Sequence, residues 1–107
     1  MQVLILEDEL PAYHKLLGFI QAEMPGSNCQ WARSVEEAKL LLETGTEPDL
    51  IFSDIELLDG VSFDVFESIQ VSCPIIFCTG FDHYVLKAFQ TNGIAYLLKP
   101  YTLEDFK

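Results

Sequence analysis

The sequence predicts an α/β domain in which a parallel sheet, buried on both faces, carries helices on each side. Three observations predict it. Short, wholly apolar runs recur at Val3–Leu6, Leu50–Phe52, Ile75–Cys78 and Ala95–Leu98, with a weaker one at Cys29–Ala32. Between them lie segments whose apolar residues recur at helical spacing. The two kinds of segment alternate, strand then helix, and no repeat, linker or low-complexity stretch interrupts them.

The first run, Val3-Leu4-Ile5-Leu6, shows no polar alternation, as a strand covered on both faces requires, and it leads straight into three acids, Glu7-Asp8-Glu9. A first helix follows. Tyr13, Leu16, Leu17, Ile20 and Met24 share one of its faces, and Pro11 suits the first turn, where a missing amide costs nothing. Cys29–Ala32 is the second strand. Ser34 and Glu37 have capping-box spacing ahead of Val35, Ala38, Leu41 and Leu42, and Gly45 ends that second helix. Leu50–Phe52 is the third strand, followed by a third helix marked by Phe63, Phe66 and Ile69. After the fourth strand, Ile75–Cys78, Val85, Leu86 and Phe89 mark a short fourth helix with Asp82 as its cap. After the fifth strand, Ala95–Leu98, Thr102, Leu103 and Phe106 open a fifth helix, which has barely one turn before Lys107 and is expected to be truncated.

Composition narrows the function. The 107 residues are expected to form one domain, 1–107, and half of them are hydrophobic, enough for a core. A formal net charge of −11 speaks against nucleic-acid or acidic-membrane binding by this domain alone and for a cationic partner or a bound cation. Cys29, Cys73 and Cys78 have no metal-type spacing and read as reduced core or near-core thiols. No basic region precedes the short first apolar run, and nothing approaches the ~20 apolar residues of a membrane span. A soluble, cytoplasmic protein is expected.

In open α/β sheets ligands bind at the carboxyl ends of the strands. There the sequence places Glu7 and Asp8 after the first strand, Asp54 after the third, Thr79 after the fourth and Lys99 after the fifth. Three carboxylates, a hydroxyl and an ammonium on one rim form a complementary set. Adjacent carboxylates repel, and a hard divalent cation such as Mg²⁺, which takes oxygen ligands, turns that repulsion into attraction. Phosphoryl transfer needs positioning and charge neutralisation, and an aspartate can act as the nucleophile. Thr79 would donate a hydrogen bond to the phosphoryl oxygens and Lys99 would neutralise them.

These residues resemble the receiver domain of two-component response regulators: Glu7-Asp8, Asp54, Thr79 and Lys99-Pro100 fall at the family's positions, and the likeness covers essentially the whole chain. The stretches "AFQTNGIAYLLKPY" and "CPIIFCTGFDHYVLKAF" resemble receivers joined to LytTR-type DNA-binding domains. The resemblance implies a flavodoxin-like, doubly wound, five-stranded sheet of order 2-1-3-4-5. It implies Asp54 as phosphoacceptor and Mg²⁺ bound by Asp8 and Asp54, with help from Glu7 and the backbone carbonyl of Glu56. Thr79 and Lys99 contact the phosphoryl group, Tyr96 switches with Thr79, and the Lys99–Pro100 bond is cis. A histidine kinase is the implied donor. Phosphorylation-dependent homodimerisation is the implied response, controlling transcription through a DNA-binding domain beyond this chain. The domain itself would be a phosphorylation switch and not an enzyme in its own right.

Departures from the family's pattern are also visible. Glu56-Leu57-Leu58-Asp59-Gly60 lacks a proline common in the loop after the phosphoacceptor, Glu7 stands for a common aspartate, and Ala95 for a frequent acid. Glu9 reads as a solvated first-turn acid, His14 and His83 as surface residues, and Asp59 as a turn residue. Two rival functions draw on the same residues. A haloacid-dehalogenase-like phosphatase also uses an aspartate, a Thr or Ser, a Lys and Mg²⁺, but it wants Asp-x-Asp early in the chain and an acidic pair after the lysine. A binding-only pseudo-receiver would not need the acid, Thr and Lys set intact.

Overall fold

The computed structural model describes residues 1–45, 47–69, 71–79 and 93–98, with Thr79 and 93–98 described by backbone alone. The elements are β1 Gln2–Leu6, α1 Leu10–Glu23, β2 Asn28–Ala32, α2 Val35–Thr44, β3 Leu50–Ser53, β4 Glu56–Leu57, β5 Gly60–Val61, α3 Phe63–Ser68, β6 Ile75–Thr79 and β7 Gly93–Leu98. The five long strands form one sheet of order β2-β1-β3-β6-β7, and β4 pairs only with β5. Every pairing in the large sheet is parallel. Counting the long strands alone, this is the expected order 2-1-3-4-5. The fourth and fifth helices and Asp82 lie outside the described residues.

Two apolar layers flank the sheet because successive strand residues face opposite sides. Leu4, Leu6, Ile51, Ile75 and Phe77 pack with Val35 and Ala38 of α2 and with Phe63, Val65 and Phe66 of α3. Val3, Ile5, Phe52 and Cys78 face the other way, toward Leu16 and Ile20 of α1. Beyond its first residue β1 is entirely buried, whereas β2, at the sheet edge, alternates between exposed and partly buried before ending at buried Ala32. That explains why the apolar signal was weakest for β2. Cys73 and Cys78 are buried, Cys29 is half-buried, and none of the three is in a disulfide among the described residues. Burial pushes the Cys29 and Cys73 thiols up, so they stay protonated and unreactive at neutral pH.

The start of α2 is held more firmly than its sequence indicated. Ser34 Oγ accepts from the Glu37 amide at 3.1 Å, as a capping box requires. The Glu37 carboxylate reaches past Ser34 to accept from the Arg33 amide at 3.3 Å. Asp59, expected only to serve a turn, sits in the turn between β4 and β5 and accepts from the Val35 and Glu36 amides at 2.7 and 3.2 Å. This carboxylate caps α2 from 24 residues away in sequence. At the other end, Gly45 keeps an ordinary negative φ of −101°. A Cβ there would meet the Leu41 carbonyl oxygen at 2.7 Å, so close approach, not a left-handed turn, calls for glycine.

The Val35 hydrogen bond, followed by that from Glu36, holds the Asp59 carboxyl below the usual aspartate range. Its native pKa is depressed, so its contribution is present at neutral pH and is lost as pH falls below about 4. Asp59→Ala is expected to cost about 1 kcal/mol at pH 7, the usual worth of a cap. The difference from wild type should be smaller at pH 3 than at pH 7, because protonation weakens the cap. Denaturant unfolding at both pH values checks this; an equal difference at both would remove the carboxylate from the account.

Candidate functional site

The carboxyl ends of β1 and β3 lie side by side. Leu6 pairs with Ser53 in the parallel ladder. One step further, the Asp54 amide donates to the Leu6 carbonyl at 2.8 Å, and the Glu7 amide donates to the Ala32 carbonyl at 3.0 Å. The sheet's hydrogen bonding thus continues to the residues that carry the acids. It places the Glu7-Asp8 peptide beside Asp54.

One carboxylate oxygen each from Glu7, Asp8, Glu9 and Asp54 falls within 4.8 Å of the others, the one such group among the described residues. Glu7 is 3 % exposed and Asp54 8 %. Asp8 is half-buried and Glu9 is exposed. The Ile55 amide donates to Asp54 Oδ1 at 2.7 Å, which orients that carboxylate, and the buried Ser53 hydroxyl donates to the Asp54 carbonyl at 2.7 Å. The Glu9 amide donates to Glu7 Oε2 at 3.3 Å, folding the Glu7 side chain back over its own loop.

This donor set is all oxygen and all carboxylate. Like charges held so close repel, and burying them removes the water that would screen them. A hard divalent cation with oxygen ligands fits both the chemistry and the spacing. Glu7, Asp8 and Asp54 therefore meet as expected. Glu9 is exposed, as a solvated first-turn acid should be, and its carboxylate also lies within the cluster. The signal for that is its adjacency to Glu7 and Asp8 in the sequence.

Glu56 begins β4, pairing with Val61 while Leu57 pairs with Gly60. This two-stranded hairpin was not foreseen and stands where the family's proline would be. Gly60, at φ +156°, occupies backbone space that L side chains rarely enter, and an added Cβ would press on Asp64 Oδ2 at 3.3 Å. The Asp59 clamp on α2 and a 2.7 Å bond from the Ser62 amide to the Ile55 carbonyl tie the hairpin down on both sides.

In the ladder Thr79 pairs with Leu98 and Phe77 with Tyr96, so the backbones of both expected switch residues lie in neighbouring strands. Their side chains, and Lys99, Pro100 and His83, lie outside the described residues. His14 is exposed, as expected. No helix among the described residues is long and apolar enough to cross a membrane.

Comparison with known proteins agrees with this geometry. The family described as response regulator receiver domain matches residues 3–107. Sensory transduction protein LytT of Enterococcus faecalis is 37 % identical over 97 % of this chain and 44 % of its own length. Sensory transduction protein LytR of Staphylococcus haemolyticus is 39 % identical over 97 % of this chain and 41 % of its own. The chain therefore spans less than half the length of these relatives. Among solved structures, a two-component response regulator from Clostridium difficile superposes with a TM-score of 0.86 at 30 % identity, covering 99 % of this chain and 88 % of that one.

Proposed function

The chain belongs to the response regulator receiver domain family, of the LytT/LytR type, and from that premise we propose that it is a phosphorylation switch whose phosphoacceptor is Asp54. The observation that carries the proposal is the convergence of the Glu7, Asp8 and Asp54 carboxylates, two of them buried, at the carboxyl end of the sheet.

Asp8 and Asp54 would hold Mg²⁺, with Glu7 assisting and the Glu56 backbone carbonyl as a further ligand. Glu9, at the exposed edge of the cluster, would act through water. Bound there, the ion would offset the carboxylate repulsion and the charge of the phosphoryl oxygens. The Ile55 amide orients Asp54 by holding Oδ1. A carboxylate oxygen of Asp54 attacks the donor phosphorus, an acyl phosphate forms, and the donor's P–O or P–N bond breaks. Thr79 donates to the transferred group and Lys99 neutralises it. Thr79 moving inward would open space for Tyr96, and the face around the fifth strand would repack, a local charge change biasing a two-state element.

The donor would be a partner histidine kinase in the cytoplasm. The output would be homodimerisation, and control of transcription through a DNA-binding domain in the remaining length that such relatives have. The family match favours this reading over a haloacid-dehalogenase-like phosphatase. Incubation with a small phosphodonor such as acetyl phosphate, followed by intact-mass measurement, tests it. A gain of one phosphoryl group is expected with Mg²⁺ and none with EDTA. No gain in either condition would instead support a binding-only pseudo-receiver.

A further inference from the structure

Trp31 lies on the edge strand β2, and no role was expected of it. Its indole Nε1 donates to the Glu7 backbone carbonyl at 2.8 Å. Both backbone groups of Glu7 are therefore tied to β2: the amide to the Ala32 carbonyl at 3.0 Å, and the carbonyl to the Trp31 side chain. That carbonyl belongs to the peptide joining Glu7 to Asp8. Fixing the plane of this peptide fixes where the Asp8 Cα stands, which narrows the directions its side chain can take.

The indole is itself fixed. Its ring stacks on Tyr13 with centroids 4.0 Å apart and planes 7° from parallel. The Arg33 guanidinium carbon lies 5.3 Å from the same ring. Tyr13 stands in the first turn of α1, where its amide donates to the Glu9 carbonyl at 3.0 Å. The acidic loop is thus gripped at its start by the indole N–H, and at its end by the helix turn that the indole stacks against.

We propose that Trp31 is a positioning residue for cation binding: its indole N–H holds the Glu7–Asp8 peptide so that the two carboxylates face Asp54 before the ion arrives. This rests on the reading of the acidic cluster as the Mg²⁺ site. A carboxylate cluster without such a brace would lose like-charge repulsion by swinging apart, and binding would then have to reverse that motion. The brace removes part of that cost.

Trp31→Phe tests the idea, because phenylalanine keeps an aromatic face against Tyr13 and removes the donor. Calorimetric titration with MgCl₂, at ionic strength matched with NaCl, gives the affinity of each protein. The variant should bind Mg²⁺ about two- to tenfold more weakly, the span covered by one lost hydrogen bond. A purely structural role would lower the melting temperature in EDTA and leave the affinity unchanged; that result overturns the proposal.

Trp31 is the chain's single tryptophan, so its emission in the unmodified protein is a second readout that stands even if the variant does not fold. The emission should change in step with the calorimetric binding curve. Unchanged emission while calorimetry registers binding also overturns the proposal. Absence of any Mg²⁺ binding by the unmodified protein would instead fail the metal-site reading itself, so the two failures are distinguishable.

Discussion

Asp54→Asn is expected to abolish phosphorylation of the chain. Asparagine has nearly the same shape, and its carbonyl oxygen still accepts the 2.7 Å bond from the Ile55 amide. The backbone bond from residue 54 to the Leu6 carbonyl is untouched. The variant should therefore fold. What it loses is the anionic nucleophile, since an amide oxygen does not form a stable acyl phosphate under these conditions. It also removes one of the four carboxylates of the cluster, so Mg²⁺ affinity should fall as well. Intact mass after treatment with acetyl phosphate and Mg²⁺ checks the first effect and calorimetry the second. Phosphorylation that persists in the variant would move the phosphoacceptor to another residue.

Phe77→Ala should produce the largest loss of stability. Phe77 is wholly buried at the middle of β6. Its ring meets Phe63 at 5.4 Å, tilted, and Phe66 edge-on at 6.1 Å. These contacts join the sheet to α3, the helix that follows the hairpin after Asp54. Truncation removes the ring's transfer free energy and leaves a cavity that rigid neighbours cannot fill, about 3–5 kcal/mol in all. Domains of this size have about 5–15 kcal/mol to lose. The urea midpoint should fall sharply with little change in slope. A loss below about 1 kcal/mol would mean that α3 does not depend on this aromatic cluster.

Much of the fold was legible because strand burial and strand spacing are written in adjacent residues. Val3–Leu6 and Leu50–Phe52 have no polar alternation, and each became a central strand with both faces covered. Ser34 and Glu37 announced the start of α2 for the same reason: a cap acts over three residues. The approach of Glu7 and Asp8 to Asp54 was legible through topology, since strand ends in a parallel sheet meet on one rim.

What was missed acts across long sequence distances or after regular structure stops. The caps from Asp59 to α2 span 24 and 23 residues, and the bond from Trp31 to Glu7 spans 24. Neither leaves a local pattern. The β4–β5 hairpin has only two residues per strand, too few for alternation to register. Glu9 joins the cluster just past Leu6, the last residue of β1, where no regular spacing says which way a side chain points.

The measurement that bears most directly on the central claim is the location of the phosphoryl group. The unmodified chain, treated with acetyl phosphate and Mg²⁺, would be reduced with borohydride to trap the acyl phosphate, then digested and sequenced by tandem mass spectrometry. The modification is expected at Asp54 alone, and is expected to be absent when EDTA replaces Mg²⁺. A modification elsewhere, or one at Asp54 that forms equally well without the cation, would contradict it.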